Sequence, residues 1–479
     1  MSTTRLIAHN TIFQITGKII STLLGLLALG LMARYLGTEK FGWYITVMTF
    51  LQFIGILIDF GLIPVTAQML SEPAHDKEKL FKNLIGFRFI SAIVFLGLAP
   101  LIALFFPYPR EIKIAISFST IAFLAVALNQ VFIGFYQNKL KMYLSAIGEN
   151  VGRIVLVVGL WLLIKQQAGF IPVMGVVGLN SGAYTAFMWF AAKKYTPIGL
   201  KFDWEIWKAI MKKMWPIAIS IIFNVIYLKG DIILLSLYKT QSEVGLYGAA
   251  YRVIDILAQT AMLLMGVMLP LLAFNWSRNL KEKFRKFYQQ SFDSMMLLAL
   301  PLTLGVVILA NKIIALVYDK DFIASGQPLQ ILAMAVFGVF LGAIFGHTAV
   351  AIDRQKQTIW IYISDALLTL AGYLIFIPKY GMYGAAWMTV FSEFYAGILL
   401  WLTIRHYTKE KLKLKTFGKI LFSCLLMSFA LLFFYELPVL FLVIIATAVY
   451  SASIFLTRAV SKETLREILT INETKKLGN

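Results

Sequence analysis

Apolar runs of about twenty residues or more follow one another from residue 10 to residue 457, with only short polar turns between them. Runs of this length span a bilayer as helices. A membrane β-barrel would instead alternate polar and apolar positions in segments of about ten residues. The pattern predicts an all-α polytopic membrane protein of about fourteen transmembrane helices, the first at 10–33 and 42–68, the last at 420–435 and 437–457. The spans at 42–68 and 246–273 are long enough to tilt or bend, the former at Pro64. Glu436, Leu437 and Pro438 alone form the last turn.

Composition agrees. The chain of 479 residues is 59% hydrophobic, against about 45–50% in soluble domains. Its formal charge is +20, which in a soluble chain would suggest a nucleic-acid partner. Here the basic residues fall in the short turns, and topology is the better explanation. The ends and the turns after even-numbered spans hold 30 Lys and Arg; the opposite turns hold 8, among them Arg34, Lys239, Lys320 and Lys379. That asymmetry predicts two cytoplasmic termini and an even number of spans. The lone Cys424 excludes an intramolecular disulfide and a cysteine metal cluster. The N-terminus lacks a cleavable signal pattern and runs into an uncleaved first span. No phosphate-binding G-x-x-x-x-G-K-[ST] loop is present, which argues against direct drive by ATP. No cofactor is expected; H+ or Na+ would be the coupling ion.

The chain also repeats. "YLGTEKFGWY" (35–44) aligns with "YKTQSEVGLY" (238–247) at an offset of 203, matching Tyr35, Gly42 and Tyr44 to Tyr238, Gly245 and Tyr247. "GVVGLN" (175–180) aligns with "GMYGAA" (381–386), and "NKLKM" (138–142) parallels "DRQKQ" (353–357). Three matches in one order predict two parallel six-helix lobes, residues 1–200 and 201–410, and a terminal helix pair with its tail, residues 411–479. Parallel repeats of this kind are a transporter pattern, with the site between the halves.

Charges inside apolar spans cost at least about 2.5–3.5 kcal/mol and so tend to face an interior or a pathway. Lys229 and Asp231 stand two positions apart in "NVIYLKGDIILLSLY" (224–238), about 200° round an ideal helix, and so cannot share a face. Arg252 and Asp255 do share one, and Gln259 continues it. Glu149 and Arg153 are spaced as a structural i, i+4 pair, with Asp231 and Arg252 open to pairing across the turn. Arg88 lies near enough to a span end to snorkel. Lys18 is deeper, beside Gln14. Asp59, Asp365 and Glu393 have no partner nearby in sequence and suit an ion relay.

"LGLMARYLGTEKFGWYITVMTFLQFIGILIDFGL" (29–62) and "KGDIILLSLYKTQSEVGLYGAAYRVIDIL" (229–257) resemble the first two and middle two helices of Wzx-type polysaccharide flippases, of the multidrug/oligosaccharidyl-lipid/polysaccharide (MOP) exporter superfamily. The resemblance implies a MATE/MurJ-like fold and a cavity lined mainly by the first, second, seventh and eighth helices. It implies transfer of a lipid-linked oligosaccharide on a polyprenyl diphosphate from the inner to the outer leaflet, for cell-surface polysaccharide such as O-antigen. Lys18, Lys229 and Arg252, with Arg88 and Arg153 as further cations, would meet the diphosphate. Asp59, Asp231, Asp255, Asp365, Glu393 and Glu149 would pair structurally or couple an ion. Expected partners are the lipid-linked substrate, membrane lipids and polysaccharide polymerase or assembly proteins. The alternative is a cation-coupled multidrug or metabolite antiporter of the MATE branch, working through the acids. An enzyme is disfavoured, because the turns opposite the basic ones are about ten residues or fewer.

Overall fold

The structure is a computed structural model and describes residues 3–59, 61–72 and 76–459. Within them the chain is helical, in the order α1 (Thr3–Asp59), α2 (Leu62–Ser71), α3 (Lys77–Leu104), α4 (Arg110–Asn138), α5 (Met142–Lys165), α6 (Phe170–Lys193), α7 (Trp204–Tyr238), α8 (Gln241–Ser277), α9 (Lys281–Val317), α10 (Gly326–Ala351), α11 (Gln355–Thr408), α12 (Lys415–Phe433) and α13 (Val439–Leu456). A single 3-10 turn, Lys320–Ser325, separates α9 from α10. Among the described residues, eleven helical stretches are long and apolar enough to cross a membrane.

Two of these are double. α1 breaks at Gly37 (φ 69) and α11 at Gly381 (φ 58), left-handed values that favour glycine. The breaks divide them into the predicted first and second spans and the predicted eleventh and twelfth. With α7, whose side chains at 216–228 lie outside the description, the series matches the fourteen expected spans. The bend in the second span is at Gly61 (φ 73), three residues before the predicted Pro64. Pro64 sits in the first turn of α2, where its missing N–H breaks no helical bond.

Two compact units form. The first takes Met1–Ala249, Val317–Ile323 and Ala366–Ala385, and so includes α7 and the first residues of α8. Its core joins Leu62, Val65 and Met69 of α2 to Phe81 and Leu84 of α3, Phe132 and Phe135 of α4, and Ile206 and Ile210 of α7. Small residues allow close approach, as membrane helices require. Gly17 meets Ala146 across α1 and α5, and Gly159 meets Val176 across α5 and α6. Asp203 caps α7 by accepting from Glu205 N, and its carboxylate also holds Lys79 at 2.6 Å. The bond from Lys79 keeps that carboxyl below its ordinary range.

The second unit takes Ala250–Leu316, Ala324–Asp365 and Ala386–Asn479. Here α9 carries the terminal helix pair through Leu309, Met427, Leu431 and Leu442. Tyr450 donates to the Leu297 carbonyl at 2.8 Å, and Lys312 to the Leu437 carbonyl at 3.1 Å. In both units large apolar side chains point outward, among them Leu101, Ile121, Phe190, Val267 and Leu456. On a soluble protein such a surface would aggregate; on a polytopic one it faces lipid.

Candidate functional site

The two repeated turns meet each other directly. A Cβ on Gly42 would run into the Gln241 carbonyl, and a Cβ on Gly245 into the Thr38 carbonyl. Thr38 and Gln241 are themselves 203 residues apart, as are Gly42 and Gly245, so the contact is reciprocal. Such exchange of equivalent partners is the mark of a pseudo-two-fold axis. Gly248 packs against Ile45, its own counterpart at the same offset. Ser242 donates to the Thr38 hydroxyl at 2.8 Å, and Thr46 to the Gln241 side-chain carbonyl at 2.7 Å. Only glycine lets two helix starts cross with their backbones touching.

Around this crossing, at the end opposite the basic turns, further contacts seal the first unit. Arg34 donates to the Tyr318 carbonyl at 2.9 Å, and the Tyr318 hydroxyl to the Ala249 carbonyl at 3.1 Å. Phe41 packs edge-on against Tyr318 and Phe322. Tyr108 and Ser236 share a hydrogen bond of 2.8 Å, and burial pushes the Tyr108 phenol up to about 12 against the opposite pull of Ser236. Glu243 accepts from Met382 N at 2.7 Å, beside the break at Gly381. There a side chain in place of Gly381 would collide with the Glu243 carboxylate.

The charges divide by exposure. Asp231 is fully buried, and its Oδ2 accepts from the Tyr247 hydroxyl at 2.7 Å while Oδ1 accepts from Ile232 N at 2.7 Å. The bond to Tyr247 ties Asp231 to the end of the repeated turn 238–247, within the stretch 229–257 that carries the family resemblance. Lys229 is half-buried. Arg252 and Asp255 form the predicted pair at 3.4 Å, with Gln259 donating to the Asp255 carbonyl. Glu149 is bonded not to Arg153 but to Lys18, at 3.1 Å, and accepts from Ser21 at 2.7 Å. The i, i+4 spacing allowed the first pair, but α1 packed on α5 brings Lys18 closer. Arg153 lies instead over Gly25.

Arg88 does not snorkel. It is 1% exposed, donates to the Ala127 carbonyl at 3.0 Å and bonds the Gln130 side chain, so α4 supplies its acceptors. Asp365 is buried and accepts from Ser392 at 3.0 Å; Glu393, also buried, interacts electrostatically with Asp365 and with Tyr362. The Asp59 side chain lies outside the described residues. Among the described residues, no group of three or more His, Cys, Asp or Glu is placed to hold a metal ion.

Residues 31–327 match the model of a family described as "Polysaccharide biosynthesis protein". The chain belongs to that family. Among curated proteins of similar sequence, a probable low-salt glycan biosynthesis flippase, Agl15, of Haloferax volcanii is 22% identical over 81% of this chain and 81% of its own. A putative O-antigen transporter of Shigella flexneri is 21% identical over 79% of this chain and 93% of its own. The polysaccharide biosynthesis chain superposes on the lipid II flippase MurJ in an inward closed conformation, with a TM-score of 0.76 at 18% identity, covering 93% of this chain and 99% of MurJ. An inward-facing multidrug resistance MATE transporter of the MOP superfamily gives 0.66 at 14% identity, over 83% and 98%. These structures establish the fold: an all-helical architecture of the MATE and MurJ type.

Proposed function

We propose that this protein is a flippase for a lipid-linked oligosaccharide, moving it from the inner to the outer leaflet of the cytoplasmic membrane by alternating access. The observation that carries this reading is a set of partly exposed cations, Lys18, Lys229 and Arg252, in a chain of the polysaccharide biosynthesis family. A diphosphate leaving water needs such charge-assisted donors. The sugar needs a hydrated path, since hydroxyls in hydrocarbon lose their hydrogen bonds. The names of the two curated relatives support the same class of cargo.

The basic turns face the cytoplasm in this reading, and both termini lie there. Outward movement of each negative charge is then favoured by about 2.3 kcal/mol per 100 mV. The crossing of Gly42 and Gly245 is the outer seal, and it opens to release the glycan. Asp365 and Glu393 are the groups for coupling to H+ or Na+. No bond of the substrate is made or broken, so the protein is a transporter and not an enzyme. A polymerase or assembly protein would receive the product.

The test is reconstitution with a fluorescent polyprenyl-diphosphate oligosaccharide. Its appearance in the opposite leaflet should be accelerated over protein-free liposomes. No acceleration, with ion-driven movement of a cationic drug in the same liposomes, would replace the flippase with the antiporter.

A further inference from the structure

At the basic end of the second unit lies a cavity of about 420 Å³. Its walls are apolar: Phe292 of α9, Leu341 and Phe345 of α10, and Ile398 and Trp401 of α11. Phe292 and Phe345 are buried, whereas Ile398 is 46% exposed, so one side opens outward among lipid-facing side chains. The mouth is crossed by the segment between α11 and α12, where Leu412 and Leu414 complete the apolar lining. This strap is fixed. Gln289 of α9 donates to the Lys413 carbonyl at 3.0 Å and accepts from Lys413 N at 2.8 Å.

The rim is cationic. Arg405 and Lys411 line the mouth and are exposed. The one acid there, Glu410, is engaged by Arg285 at 3.4 Å. Lys409 and Lys413 stand along the same segment, and Lys415 and Lys419 lie in the first turns of α12. No Ser, Thr, Asn or Gln lines the cavity, so it offers a glycan almost no hydrogen bonds. A volume of this size suits a hydrocarbon chain, and clustered Lys and Arg beside a span attract anionic headgroups.

We propose that this cavity binds one anionic glycerophospholipid from the leaflet at the basic end, its phosphate between Arg405 and Lys411 and an acyl chain along Phe292, Leu341 and Ile398. The proposal does not depend on what is transported.

The experiment uses the full-length protein in nanodiscs of equal phosphatidylglycerol and phosphatidylcholine, with retained lipid counted by native mass spectrometry after detergent exchange. The wild type should keep phosphatidylglycerol in preference. Neutralising both rim cations, Arg405→Gln with Lys411→Gln, should weaken retention by roughly fivefold for each charge. Ile398→Trp fills the chain end with the charges intact and should lower retention too, with helicity and monodispersity unchanged. Should the double variant fail to fold, Ile398→Trp decides alone. Equal retention by the wild type and the folded variants would overturn the proposal. So would displacement by inorganic phosphate or by a short-chain phosphatidylglycerol as readily as by the long-chain lipid, or tighter binding of a polyprenyl phosphate than of phosphatidylglycerol.

Discussion

The turns at 35–44 and 238–247 are built alike and charged differently. Each brings a glycine, Gly42 or Gly245, onto the backbone of the other. Beneath the second turn, Tyr247 bonds the buried Asp231. At the same offset in the first half stand Tyr44 and Ala28, and no carboxylate. Arg252 and Asp255 likewise correspond to Thr49 and Gln52, and Lys229 to Leu26. The duplicated part of the molecule is therefore its glycine crossing, and the part unique to each half is its charge. A reciprocal contact of backbones suits a seal that is either shut or open; an asymmetric charge set suits one anionic headgroup.

The largest effect should come from breaking the symmetric contact. Gly245→Leu places a side chain against the Thr38 carbonyl, which cannot move aside without unwinding a helix start. Overpacking of this kind costs about 1–3 kcal/mol, enough to lower the closed population roughly fivefold to 150-fold. Gly42→Leu should do the same, and Gly266→Leu, which meets open space, should not. Thiol labelling of a cysteine placed at the crossing reads the outcome; equal labelling in all three would dissolve the comparison.

Next comes the asymmetric pair. Tyr247→Phe leaves the Asp231 carboxylate short of a donor and should cost about 1.5–3 kcal/mol, read as a fall in melting temperature. Tyr44→Phe, its counterpart, should stay within about 0.5 kcal/mol of wild type. Similar losses in both would mean that Asp231 is not what distinguishes the halves. Asp231→Asn should mainly cost stability, while Lys229→Gln lowers export more than Lys229→Arg does, because a point charge is what the phosphate needs. Normal export by Lys229→Gln together with stable, inactive Asp231→Asn would exchange their roles.

Arg252→Ala should lower export at least tenfold with protein in the membrane unchanged. Its bridge to Asp255 is partly exposed, and such pairs contribute less than about 1 kcal/mol to stability. Unchanged export would take Arg252 off the substrate path. The smallest effect belongs to Lys18 and Glu149: a double-mutant cycle should give a coupling of about 0.2–1 kcal/mol that shrinks with salt. A larger, salt-independent coupling would make this pair a structural lock like that of Asp231.

The spans and their number were legible because bilayer thickness dictates run length, and the repeat because Gly42 and Gly245 are fixed by a contact no other residue permits. Partners across helices were not. Glu149 has Arg153 at the ideal local spacing, yet helix packing delivers Lys18 from 131 residues away. Arg88 sits near a predicted span end, but a carbonyl and an amide of α4 take it inward. Tyr247 could have been found, since it already belonged to the repeated motif and faces Asp231 across a tight turn between antiparallel helices. The bend at Gly61 was hidden by Pro64, the more familiar helix breaker.

One measurement bears most directly on the claim that the crossing must part for each lipid-linked oligosaccharide to leave. Thr38→Cys with Ser242→Cys places two thiols where hydroxyls now stand 2.8 Å apart, and the single native cysteine, Cys424, is buried. Oxidised to a disulfide in liposomes, this variant should stop flipping the fluorescent polyprenyl-diphosphate oligosaccharide, and reductant should restore it. Flipping at the same rate in the oxidised and reduced forms would contradict the claim.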